Sequence, residues 1–171
     1  AAVSSSLFSL LGTPPALGRD FTADDDRAGA ERVVMLSDEV WQLRYNGDRS
    51  IVGRSISING FPHTVIGVMP PKFMFPETQR LWVTLAPYYE STARDVRALQ
   101  VFARMKPGVS VEQATTDVSA VVGRLAATYP NENEGWGAMV RPLREWMIPD
   151  EVELVILAMM GAVTLVLVIA C

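Results

Sequence analysis

The sequence predicts an α+β fold that leads into the start of a transmembrane helix, and three observations predict it. Asn59-Gly60 joins two strand-like runs, Arg54 to Ile58 and Phe61 to Met69. Asn-Gly suits both positive-φ positions of a type I′ turn, so the pair reads as a β-hairpin, with Ile56 and Ile58 on one face and Ser55 and Ser57 on the other. Behind a Ser110/Gln113 capping box, Val111, Ala114, Val118, Val121, Val122, Leu125 and Tyr129 recur at helical spacing. From Leu154 to Cys171 the chain carries no charge, and Thr164 is the only hydroxyl. Those residues would reach about 27 Å as a helix, close to the thickness of a bilayer core.

The remaining elements follow in order. Ser4 to Leu11 suggests a short helix stopped by Gly12 and Pro14-Pro15, and Ala16 to Phe21 a short extended segment. Thr22 to Glu31 is acidic and reads as a solvated loop; Asp24, Asp25 and Asp26 lack the alternating pattern of a calcium loop. Val33 to Leu36 is a short buried strand. Ser37 is the N-cap of a helix that has Asp38 and Glu39 in its first turn and ends at Asn46-Gly47. After the hairpin come an aromatic loop with Phe73 and Phe75 and a strand from Leu81 to Leu85. Tyr88 to Val96 is a polar loop or a helical turn. Strands from Leu99 to Met105 and from Ala138 to Leu143 flank the capped helix, which ends at Pro130. Only Glu145 to Glu151, with Pro149, separates the last strand from the apolar run, and so short a link transmits movement. Trp146 fits either a lipid interface or a strand core. Ala158 and Ala162 form a small-residue pair of the kind that allows close helix packing.

Composition excludes several classes of function. The 171 residues carry a net charge of −4, and Lys72 and Lys106 are the only lysines, so no basic surface for nucleic acid is present. Cys171 is the single cysteine and His63 the single histidine, which removes disulfide frameworks, histidine-rich metal sites and a triad. His63 reads as a strand residue on the open face of the hairpin. Gly53-Arg54-Ser55 is not a nucleophile elbow, because Ser57 stands where glycine is required. No phosphate-cradling glycine loop occurs. Asp24 and Glu31 are the one candidate carboxylate pair, and they read as solvated. No catalytic, cofactor or metal residue is predicted. The acidic approach of Asp150, Glu151 and Glu153 suits an outer membrane flank. The N-terminus opens without a basic leader, so both ends read as cuts through a longer protein.

Three stretches carry a family resemblance: Leu7 to Asp26, Val33 to Pro76 and Val101 to Pro130. In that order the chain resembles the periplasmic core domain of MacB-type ABC transporter permeases, and most closely the large permeases with duplicated cores from soil bacteria such as acidobacteria. The resemblance implies a core domain over residues 1 to 150. Within it, residues 37 to about 87 would be a hairpin-rich insertion and 101 to 143 a returning porter-like strand-helix-strand part. Residues 152 to 171 would start the family's second membrane helix, and a first membrane helix and first porter-like strand would precede Ala1. It implies a bacterial inner-membrane protein whose domain faces the periplasm and relays ATP-driven movement. ATP would be used by a separate cytoplasmic ABC ATPase, with no cofactor here. The other partners would be a second permease copy or pseudo-repeat, membrane lipid and a periplasmic adaptor. A membrane-anchored binding or adhesion module, and a membrane-tethered enzyme, are the competing readings.

Overall fold

The computed structural model describes residues 1–76, 78–89, 96–147 and 150–170. The chain divides into two compact units, Ala1–Val96 and Arg97–Cys171.

All described strands belong to the first unit. They are β1 (Ala2–Val3), β2 (Leu17–Gly18), β3 (Val33–Leu36), β4 (Ser55–Ile58), β5 (Phe61–Val68) and β6 (Leu81–Thr84). They form one mixed sheet in the order β1-β6-β3-β5-β2, and β4 pairs with the other stretch of β5. β3 is parallel to β5 and antiparallel to β6, with a register shift between Val34 and Met35. The predicted hairpin is present: Asn59 and Gly60 sit at φ 52° and 82°, and Ser55 to Ile58 pair with Thr64 to Phe61.

All four residues of β3 are buried, which explains the unbroken apolar run, because this central strand is covered on both faces. On one face Val34, Leu36, Ile51, Val65 and Val68 form a cluster. It is roofed by Val40, Trp41 and Tyr45 from helix α2 (Asp38–Tyr45). Ser37 caps that helix by accepting from the Val40 N–H at 3.2 Å, and Asn46 closes it in the left-handed conformation. On the other face an aromatic cluster fills the space. The Phe8 ring, from helix α1 (Leu7–Leu11), lies 5.8 Å from Phe21, 5.6 Å from Phe73 and 5.8 Å from Trp82. Trp82 has no exposed surface, and its Nε1–H donates to the Phe75 carbonyl at 2.9 Å, so the aromatic loop is tied to the sheet. β2 crosses β5 at Gly18 opposite Gly67. Helix α3 (Ala86–Tyr89) follows β6. The polar loop expected from Tyr88 to Val96 therefore starts as a helical turn, and its residues 90–95 lie outside the described set.

The second unit is helical. The capped helix is α4 (Val111–Thr128), with both capping-box bonds formed, followed by α5 (Pro130–Asn133), α6 (Leu143–Met147) and α7 (Asp150–Ala170). The strands expected at Leu99 to Met105 and Ala138 to Leu143 are not formed. Residues 99–105 and 138–142 have no regular structure, and Leu143 begins α6. A strand is held by its ladder, and no described strand of this unit offers a partner edge. The apolar stripe of α4 accordingly has Val118, Val121 and Leu125 about two-fifths exposed.

Candidate functional site

The acidic loop is more ordered than its composition suggests, and its three aspartates do three different things. Asp24 meets Arg27 at 2.9 Å on the surface. Asp25 accepts a two-pronged contact from Arg19, 2.6 and 2.9 Å, and further bonds from the Thr22 N–H and hydroxyl. The Arg19 hydrogen bonds, helped by those from Thr22, lower its carboxyl pKa to about 2. Asp26 is half-buried and, among the described residues, receives backbone donors: Ser5 N–H at 3.0 Å on one oxygen, Leu85 N–H at 3.1 Å and Ala86 N–H at 2.9 Å on the other. The expectation of a solvated loop is thus corrected for Asp25 and Asp26. Both carboxylates are occupied by the fold, and no group of metal-binding side chains occurs among the described residues.

The other singled-out residues do not converge. His63 is not on an open face but buried, 2% exposed, opposite Ile56, with Nδ1 3.0 Å from the Phe61 carbonyl. Strand alternation puts it with the inward Ile56 and Ile58, because residues directly opposite share a face. Arg54 reaches Asp48 at 3.7 Å, and Ser55 pairs with Thr64 in the hairpin ladder. Glu31 accepts from the Thr64 hydroxyl, whereas Asp24 is held by Arg27, so the candidate carboxylate pair is not assembled. A shallow open cleft of about 420 Å³ lies at the base of the hairpin between Glu31, Arg32, Ser55, Phe61, Pro62 and Thr64. The Arg32 guanidinium covers the Phe61 ring at 4.1 Å there, beside the Thr64 hydroxyl that donates to Glu31.

In the second unit the chain around α4 is fastened by side chains in place of ladders. Arg97 donates to the Glu132 carbonyl and the Asn133 side chain and lies over the Trp136 ring at 5.1 Å. Ser119 donates to the Ala138 carbonyl, and Trp146 packs edge-on against Phe102 at 5.4 Å. Trp146 therefore has an aromatic partner within the unit while remaining 38% exposed. Helix α7 is helical over 21 residues. All ten residues from Val155 to Thr164 are exposed, which takes in every face of the helix. Among the described residues no helix is long and apolar enough to cross a membrane. Pro149 and Cys171 lie outside the described residues.

The first unit thus holds a sheet covered on both faces and a carboxylate that ties its own loop to two other backbone segments, and the second is helical and includes the exposed apolar helix α7. The family model of the MacB-like periplasmic core domain matches residues 1–121. Among solved structures, the chain is similar to the periplasmic region of MacB from Actinobacillus actinomycetemcomitans. That match has a TM-score of 0.53 at 15% identity and covers 77% of this chain and 57% of the other. The likeness is one of fold, and the chain spans little more than half the length of that relative. No curated relative matches it. With more than two-thirds of its residues under the family model, the chain belongs to the MacB-like periplasmic core domain family.

Proposed function

We propose that this chain is the extracytoplasmic domain of a bacterial ABC transporter permease, a non-catalytic part that relays ATP-driven movement of membrane helices to the periplasm. The family match over residues 1–121 carries the reading. In this reading residues 1 to 150 are the periplasmic core domain, with 37 to about 87 as the hairpin-rich insertion and 101 to 143 as the porter-like part. Residues 152 to 171 start a membrane helix. The charge-free run from Leu154 and the exposed apolar side chains on every face of α7 support that assignment, because a helix apolar all round is stable only in a buried or lipid environment. A further membrane helix precedes Ala1. ATP is hydrolysed by a cytoplasmic ABC ATPase; a second permease copy or pseudo-repeat and a periplasmic adaptor complete the assembly, which acts in export or a related process.

The test is sidedness in the intact transporter. Ala28 is exposed in the acidic loop, so Ala28→Cys in the full permease should react with a membrane-impermeant maleimide in intact spheroplasts. Labelling that appears only after lysis would put the domain in the cytoplasm and overturn the reading.

A further inference from the structure

The chain comes into the sheet unit along β1 and leaves it after β6, and these two strands are parallel neighbours at one side of the sheet. Ala2 pairs with Val83 and Val3 with Thr84, and the Val83 N–H donates to the Ala1 carbonyl at 3.0 Å. Just beyond the paired residues Asp26 spans both segments, taking Ser5 N–H on one oxygen and the Leu85 and Ala86 N–H groups on the other. Asp26 lies on neither strand; it reaches in from the acidic loop. Hydrogen bonds from N–H groups to an ionised carboxylate are among the stronger ones a protein makes.

Direction matters here. A pull at residue 1 drags β1 backward, and a pull beyond residue 86 drags β6 forward. In a parallel pair those motions slide one strand along the other, so the ladder bonds and both carboxylate contacts are strained together. β3, β5, β2 and β4 lie beside this path and not on it.

We propose that Asp26 is the latch of a load-bearing path through the domain, in which tension passes from β1 through the Asp26 carboxylate to residues 84–86 and bypasses the rest of the sheet. The proposal rests on the relay reading above, which supplies a reason for tension between these two points.

The experiment is single-molecule pulling on the full chain in detergent micelles, with Cys171→Ser and handles on Ala1→Cys and Val96→Cys. The crossed geometry carries the handles on Leu43→Cys and Ser57→Cys, both exposed and away from the Asp26 loop. At equal load the wild-type domain should survive about ten-fold longer in the 1–96 geometry than in the crossed one. Asp26→Asn keeps the size of the side chain but turns one acceptor into a donor. It should shorten the lifetime about ten-fold in the 1–96 geometry and far less in the crossed geometry. Equal shortening in both geometries would reduce Asp26 to an ordinary structural contact, and no wild-type directional difference would sink the proposal even if the variant failed to fold. The measurement uses no ATP and no partner, so its failure leaves the permease reading intact. A failure of the labelling test would equally leave the mechanical result standing.

Discussion

Trp82→Ala is expected to destabilise the sheet unit by about 3–5 kcal/mol, the range for emptying a buried aromatic site. Trp82 has no exposed surface, and β6 holds it between β1 and β3, so surrounding strands cannot collapse into the space. Its ring meets Phe8 at 5.8 Å and Phe73 at 5.4 Å, and Phe8 in turn stacks on Phe21 at 5.8 Å. Removing the indole also removes its hydrogen bond to the Phe75 carbonyl. Against a typical domain stability of about 5–15 kcal/mol, such a loss consumes much of the margin. Hydrogen exchange of the β3 and β6 amides in the full chain reads the effect; protection within about 1 kcal/mol of wild type would mean this face is not a packed core.

Gly67→Ala is the second large effect, about 3 kcal/mol, and its cause is contact and not backbone conformation. A Cβ on Gly67 would stand 2.8 Å from the Leu17 carbonyl oxygen, 2.9 Å from that of Arg19 and 2.9 Å from the Met35 sulfur. Two of the three are backbone of β2 and the residue that follows it, so that segment would have to lift from β5. Gly60 is the control. A Cβ there meets nothing within 4 Å, and only its φ of +82° resists substitution, so Gly60→Val should cost about 1–3 kcal/mol. Melting of the two variants separates the causes: equal and small losses would contradict the tight β2–β5 crossing, and an unchanged Gly60→Val would contradict the type I′ turn.

These residues also mark how far the sequence could be read. The hairpin, the buried β3 run and the two capped helices were legible because each has a local signal: Asn59-Gly60, four apolar residues in a row, Ser37, and Ser110 with Gln113. Gly67 and Asp26 were not, because their roles are set by backbone brought from far along the chain. Arg19 and Thr22 stand close enough to Asp25 to hint at its pairing; nothing local distinguishes Asp26 from Asp24. His63 stands directly opposite Ile56, so the two-residue turn at Asn59-Gly60 puts it on the inward face and not the open one. The strands expected around α4 failed for a related reason: residues 99–105 and 138–142 have strand-like composition, but composition does not supply a ladder partner.

In the proposed relay, movement passes between this domain and a membrane helix through a short connection, and one insertion tests that most directly. α6 ends at Met147 and α7 begins at Asp150, both within the Glu145 to Glu151 stretch read from the sequence as the link. Placing about ten Gly/Ser residues after Met147 in the full transporter replaces it with a flexible coil, whose ends move independently over tens of ångströms. ATP hydrolysis and the cellular output of the system are then measured side by side. The relay account predicts an ATPase rate within about two-fold of wild type and an output reduced at least ten-fold, because the hydrolysis site is elsewhere and only the coupling is cut. Full output with the longer connection would contradict it and favour a membrane-anchored binding module, whose ligand site has no need to feel the helix.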